Sequence, residues 1–306
     1  MWRTVIVTRG EKLTVRDNWL IVFSDNTEQR VPIGDLYSVV IDNRAALISV
    51  NTLVALAQAN VHVFLCDNRH IPTALTLPMN THYKPLGVIK RQLALTNDFK
   101  EALWQRIVKQ KIANQMICLK LAGVKKYNIE PMKEMYEAVL PGDKTNREAA
   151  AAKKYFIALF GNTFRRMEED VTNAALNYGY SIIRSAVCKT LVAYGYNCVL
   201  GIHHINEQNA YNLADDIMEP FRPLVDLWVD NSCEELFDEL TKENRKDLIG
   251  LVNVPVKMGR KKMRVRYAID KCVSSLTTSI EKNDPALLHL PTLIQIDEMF
   301  EDDEDG

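Results

Sequence analysis

No two of the six cysteines in this 306-residue chain form a C-x-x-C pair. Cys66, Cys118, Cys188, Cys198, Cys233 and Cys272 are scattered. That excludes a sequence-legible zinc ribbon or disulfide frame and fits reduced thiols in a cytoplasmic protein. No apolar run approaches the roughly 20 residues needed to cross a bilayer, so no membrane association is expected. The first residues, MWRTVIVTRGEKL, lack a long apolar stretch and a small-residue cleavage site and do not read as a signal peptide. No repeat of fixed period is present. What remains is ordinary for a soluble globular protein, with 47% hydrophobic and 25% charged residues. The length suffices for two domains, each with its own core.

Charge is unevenly spread. The net charge is −1, but seven acids and no base lie between Asp297 and Asp305, so the rest of the chain carries 38 bases against 32 acids. This acidic tail, 297–306, reads as disordered and as a shield for basic surface when DNA is absent. The densest basic stretch is VKMGRKKMRVRYAIDK, residues 256–271, with seven bases and one acid. A basic hairpin or loop that meets phosphates is one reading of it, and a solvated charged face is the other.

Residues 1–75 read as a small β-rich domain. Thr4–Val7, Leu20–Phe23, Ser38–Ile41 and Val61–Leu65 are short β-branched runs bounded by turn signals. One helix is expected from about Ser49 to Asn60. Residues 76–85 read as a linker, within a proline-bearing stretch that starts at Ile71. From 86 to 296 the pattern is helical. Leu93, Leu103, Trp104, Ile107, Val108, Ile112, Met116 and Leu119 recur at helical spacing, and further helices are expected near 134–140, 147–167, 170–195, 212–230, 233–249 and 266–281. The fold class is therefore α+β, with a small N-terminal β-rich domain followed by a larger all-helical catalytic domain.

The acids of interest lie in two segments. In GIHHINEQNAYNLADDIMEPFRP, residues 201–223, Asn212 is a candidate helix cap and Asp215 its capping-box acid. Asp216 and Glu219 share a helical face, and Pro220 bends the helix. An acidic helix start is usually dipole complementation. Glu219 lies past the first turn, which makes it the better ligand candidate. His203 and His204 are adjacent, so at most one is expected to face a site shared with Glu219. In LPGDKTNREAAAAKKYF, Thr145 and Glu148 fit an S/T-x-x-E capping box, while the alanine run after Glu148 would admit a bulky partner.

NREAAAAKKYF, NYGYSIIRSAV and GIHHINEQNAYNLADDIMEPFRPLVD, in this order and at these separations, resemble the CRISPR adaptation integrases, the Cas-one family, most nearly the form found beside a type II effector nuclease. WQRIVKQKIANQ, residues 104–115, is similar to that family's first long helix. The resemblance implies a three-ligand metal site, with Glu148, His204 and Glu219 as catalytic and metal-binding residues for Mg²⁺ or Mn²⁺. Asp216 could hold a water beside the ion or a second ion. The ion would act on a phosphodiester as a DNA 3′-hydroxyl attacks. Arg222 could bind the scissile or adjacent phosphate, or pair with Asp226. Arg147, Lys153, Lys257, Arg260, Lys261, Lys262 and Arg264 suit DNA backbone contact.

The implied function is a metal-dependent DNA endonuclease and integrase that inserts new spacers into a CRISPR array. The implied partners are double-stranded DNA (prespacer and CRISPR repeat), a second copy in a homodimer paired through the β-rich domain, the small companion Cas-two in a heterohexamer, and the type II effector nuclease. The rival readings are a branched-DNA nuclease of repair and a non-enzymatic DNA-binding scaffold, in which Glu148 is only a cap.

Overall fold

A computed structural model describes residues 3–9, 12–24, 27–68, 70, 72–76, 78 and 84–295; the acidic tail lies outside the described residues. The chain divides into two compact units, 1–81 and 82–306, and the division falls inside the expected linker.

The first unit holds strands β1 (Arg3–Val7), β2 (Lys12–Arg16), β3 (Trp19–Ser24), β4 (Thr27–Pro32), β5 (Leu36–Ile41), β6 (Leu47–Ile48), β7 (His62–Cys66) and β8 (Pro72–Thr76), with helix α1 (Val50–Gln58) before β7. They form two four-stranded sheets in the orders β1-β5-β7-β8 and β4-β3-β2-β6. β1, β5 and β7 run parallel, so a crossover carrying α1 joins β5 to β7. Leu13, Leu20, Leu36, Val39, Leu56, Val61 and Val63 fill the core. Ser49 caps α1 by accepting from Thr52 N at 3.1 Å, as its place before the apolar run leads one to expect.

Two corrections arise here. β2 and β4 are strands that the β-branched runs did not mark, because β4 (TEQRVP) is a polar edge strand, mostly exposed. Pro72–Thr76, in the proline-bearing stretch where no strand was expected, pairs antiparallel with β7. Its proline sits at the first position of an edge strand, where no ladder hydrogen bond is lost.

The second unit contains α2 (Pro85–Leu93), α3 (Asn97–Leu121), α4 (Lys126–Glu137), α5 (Arg147–Phe160), α6 (Val171–Ala193), α7 (Asn212–Met218), α8 (Arg222–Asn231), α9 (Lys242–Gly250) and α10 (Val265–Lys282). It is not wholly helical. β9 (Pro255–Met258) and β10 (Lys261–Arg264) make an antiparallel hairpin from the basic cluster, with Gly259 at a φ of 60° in its turn. The apolar run 93–119 breaks between α2 and α3, where Thr96 caps α3 by accepting from Phe99 N.

α3 runs through the centre of this unit. Leu103, Trp104, Ile107, Val108, Ile112, Cys118 and Leu119 are all at most 1% exposed. Three polar residues, Lys111, Asn114 and Gln115, are buried among them, and a buried polar group must find partners or cost stability. Asn114 finds four. Its Nδ2 donates to the carbonyls of Pro220 and Pro291 at 2.6 and 2.9 Å, and its Oδ1 accepts from Leu293 N and Gln110 Nε2 at 3.1 Å each. α6 packs on α8 through Gly179, where a β-carbon would stand 2.4 Å from Val225 Cγ1.

Candidate active site

Glu148 and Glu219, 71 residues apart in sequence, meet on one ammonium. Lys111 Nζ donates to Glu148 Oε1 at 2.6 Å and forms an ion pair with Glu219 Oε2. Glu219 Oε1 accepts from Arg222 Nη1 at 2.7 Å. Its Oε2 is buried and faces the Lys111 ammonium. Burial pushes the Glu219 carboxyl up, but the charges of Arg222 and Lys111 outweigh it and hold the pKa at about 2. Burial likewise lowers the Lys111 ammonium, and the charges of Glu219 and Glu148 more than offset it. The Glu219 carboxylate is ionised at neutral pH, and Lys111 is charged.

The capping box expected at Thr145 does not form. Asp143, buried and at a φ of 49°, takes that role. Its Oδ1 accepts from Arg147 N and its Oδ2 from Glu148 N, both at 2.9 Å. Thr145 Oγ1 accepts instead from Arg147 Nε at 3.1 Å. With the first-turn amides satisfied by Asp143, the Glu148 side chain is free of the cap and reaches Lys111.

A similar displacement occurs in the 201–223 segment. Asn212 is the first helical residue rather than the cap; its Nδ2 donates to the carbonyls of Val199 and Asn206. Asp215 is no capping-box acid: it accepts from Asn209 Nδ2 at 2.6 Å and lies 4.0 Å from Arg184 Nη1. Asp216, fully buried, anchors the histidine turn. It accepts from the backbone amides of Ile202, His203 and His204 at 2.5, 3.1 and 3.1 Å, and its Oδ1 is 2.7 Å from His204 Nδ1. The turn closes so tightly that a β-carbon on Gly201 would stand 2.1 Å from the His204 carbonyl oxygen, which accounts for glycine in the G-x-x-H pattern. The hydrogen bond to Asp216 raises the His204 pKa against the opposing effect of burial.

With Nδ1 committed to Asp216, Nε2 is the nitrogen left for a ligand, the arrangement by which a carboxylate orients a metal-binding imidazole. Both histidine rings rest on Trp104, His203 stacked at 4.2 Å and His204 edge-on at 5.6 Å between centroids.

Pro220 breaks the helix as expected. α7 ends at Met218, a 3-10 turn spans Glu219–Phe221, and α8 begins at Arg222. Arg222 pairs with Glu219, not with Asp226, and its guanidinium lies 4.1 Å over the Tyr180 ring. Asp226 is taken by two tyrosines: Tyr155 OH donates to Oδ2 at 2.9 Å and Tyr180 OH to Oδ1. This cluster ties α5, α6 and α8 together behind Glu219. Burial pushes the Asp226 carboxyl up to about 6, although the two hydroxyls favour its charged form. A folded pKa above the unfolded value near 3.9 adds stability at low pH that is lost as pH rises through 6. The loss amounts to roughly 3 kcal/mol at about 1.4 kcal/mol per unit. Melting curves of Asp226→Asn against the parent should therefore show the variant gaining in relative stability between pH 4 and 7.

Glu148 and Glu219 are thus brought together, and His204 is held by Asp216 within range of Glu219's charge. Among the described residues no three His, Cys, Asp or Glu side chains are arranged, as they stand, to hold a metal ion. The donor set nevertheless suits one: two carboxylates that converge on a single cation, and an imidazole whose Nδ1 is engaged by Asp216.

Residue patterns did not single out Lys111 or Asp143, and they marked Trp104 only as part of a helix's apolar face. For Lys111 a signal existed: it stands four after Ile107 and three after Val108, where the buried face calls for an apolar residue.

Of the bases expected to meet DNA, Lys153, Lys257, Arg260, Lys261 and Lys262 are exposed, and Arg147, Arg222 and Arg264 are half-buried. Arg266 is buried and donates to Asn253 Oδ1. Arg260 and Lys261 join Arg106, Lys109, Lys271 and His289 around a cavity of about 740 Å³, with no acid in its lining. No helix among the described residues is long and apolar enough to cross a membrane.

The chain matches the family described as CRISPR associated protein Cas1 over residues 4–236. It is 36% identical over 299 residues to a CRISPR-associated endonuclease Cas1 of Neisseria meningitidis serogroup C (strain 8013), across 97% of this chain and 98% of that protein. A casposase bound to integration product has the same fold, with a TM-score of 0.73 at 18% identity, over 99% of this chain and 96% of that one. A chain of a Cas6-RT-Cas1–Cas2 complex matches with a TM-score of 0.75 at 18% identity, over 96% of this chain; this chain spans about a third of that longer one, 36%.

Proposed function

The chain is a member of the Cas1 family of CRISPR-associated proteins, and from that premise we propose that it is a metal-dependent DNA endonuclease and integrase of CRISPR adaptation, which joins DNA ends into a CRISPR array. The observation that carries this reading is the meeting of Glu148 and Glu219, from separate helices, on one buried cation.

Glu148, Glu219 and His204 Nε2 would hold a Mg²⁺ or Mn²⁺ ion. When bound, such an ion supplies Lewis-acid stabilisation of the negative charge that builds on the phosphoryl oxygens. The chain's own residues do the rest. Asp216 keeps the His204 proton on Nδ1. Trp104 fixes the plane of the imidazole. Arg222, braced by Glu219 and the Tyr180 face, places positive charge where a backbone phosphate can bind. A 3′-hydroxyl oxygen forms the new bond to phosphorus as the bond to the old 3′-oxygen breaks. One phosphodiester replaces another, and no covalent enzyme intermediate arises.

The exposed bases of β9, β10 and their turn, with Arg147 and Lys153, give backbone contact without base reading, so binding weakens steeply with salt. Leu47, Val50 and Val54, exposed on β6 and α1, give the first unit an apolar face for a second copy. A neighbour of the same fold occurs in a complex with Cas2, which makes Cas2 the natural companion.

The test uses a short duplex with free 3′-hydroxyls and a supercoiled plasmid bearing a CRISPR repeat, with Cas2 present. Joined product in Mg²⁺ or Mn²⁺, and none in EDTA, is the expected result. Nicking of branched DNA without joining would favour the repair nuclease, and joining that persists in EDTA would overturn the metal dependence.

A further inference from the structure

We propose that Lys111 is a built-in counter-cation of the candidate metal centre: its ammonium holds Glu148 and Glu219 together before a metal arrives and is displaced when one enters, so this residue sets the metal affinity. The inference rests on the metal reading of these two carboxylates and adds to it a competitor within the chain.

The position of Lys111 is otherwise hard to account for. It is 7% exposed on the buried face of α3, where an ammonium is costly unless paired. Its Nζ touches both carboxylates that the reading assigns to the metal and bridges α3 to α5 and to the turn after α7. Two carboxylates brought this close repel each other unless a positive charge lies between them. Arg222 neutralises one side of Glu219, on Oε1; among the described residues its ion pair is with Glu219 and not with Glu148. Lys111 therefore supplies the charge balance that lets the helices pack: two acids against two bases.

A dication bound by the same oxygens would lie within a few ångströms of this ammonium in a poorly solvated site, where like charges repel strongly. The two cannot share the position. The four-carbon stem of lysine can swing its head away without moving α3. Binding of the dication is therefore weaker than the two carboxylates alone would give, by the free energy needed to break two ion pairs. This also accounts for why three ligands do not close on one point among the described residues: the carboxylates are arranged around an ammonium.

The experiment measures Mn²⁺ affinity by electron paramagnetic resonance, without DNA, and melting temperature in EDTA and in Mn²⁺, for the full chain and for Lys111→Met and Lys111→Arg. Lys111→Met should bind Mn²⁺ at least about tenfold more tightly, melt lower than the parent in EDTA, and gain more from Mn²⁺ than the parent does. Lys111→Arg should stay near the parent on both readouts. A residue with only a packing role would lower melting without tightening Mn²⁺ binding, and that result overturns the proposal, as does weaker binding in Lys111→Met. If Lys111→Met does not fold, the double variant with Glu148→Gln, which removes one of the repelling charges, should fold in EDTA; its failure to do so also counts against the proposal. If neither the parent nor Lys111→Met takes up Mn²⁺, the metal reading has failed and the competition with it, whereas uptake of equal affinity in both overturns the competition alone.

Discussion

Glu148→Gln should lower strand transfer by about a thousandfold or more while shifting the melting temperature by only a few degrees. On the proposed metal reading, the size of the first effect follows from removing one of the two anionic groups that would hold the ion and so stabilise charge in the transition state. The smallness of the second follows from the local structure. The start of α5 is capped by Asp143, not by Glu148, so glutamine at 148 leaves every first-turn hydrogen bond in place. Its carbonyl can still accept from Lys111, and Lys111 keeps its pairing with Glu219. Glu219→Gln should behave differently. That side chain is 4% exposed and balances both Lys111 and Arg222. Losing its charge strands buried cations at a cost of about 3–5 kcal/mol, so activity and stability fall together. A strand-transfer assay run beside thermal melting separates the two variants. Intact transfer in Glu148→Gln with clearly lowered melting would favour a scaffold with no chemistry of its own.

The second large effect is expected at Asp216. Its carboxylate, 0% exposed, accepts from three consecutive backbone amides and from the His204 ring. Asparagine has nearly the same shape but only one accepting atom, and its amide nitrogen would face donors. Asp216→Asn should lose about 3–5 kcal/mol of stability, the range for breaking a buried charged network. It should also weaken Mn²⁺ binding by roughly 10–100-fold, the usual consequence of removing the carboxylate behind a ligand histidine. Denaturant unfolding and metal titration give the two numbers. Unfolding at the parent's midpoint would mean that the 201–204 turn does not depend on this carboxylate.

Much of the fold can be read from local patterns, because those patterns have local causes. Ser49 before an apolar run starts α1, and Pro220 interrupts the helix that the 212–230 periodicity marks. Where local rules mislead, a longer-range partner has won. Thr145 and Glu148 have the spacing of a capping box, but Asp143 reaches the same amides first. The helix expected near 134–140 lies earlier: α4 runs from Lys126 to Glu137, with Pro131 inside it. The polar edge strand β4 carries no alternation strong enough to mark it. Within the candidate site, Glu148, His204 and Glu219 are visible through the order of three motifs. Lys111 is not, since nothing within α3 says that its apolar face ends in an ammonium aimed at helices 37 and 108 residues further along.

Asn114, one turn past Lys111, has a consequence for how the molecule comes into being. Its amide is satisfied by chain 106, 177 and 179 residues away. The most distant of these partners, Leu293, follows 179 residues after Asn114, and contacts so distant in sequence form late. A nascent chain leaving the ribosome therefore carries both carboxylates and the histidine turn well before it has the clasp that seats their central helix. The site's residues are thus in hand long before the helix at their centre is locked in place.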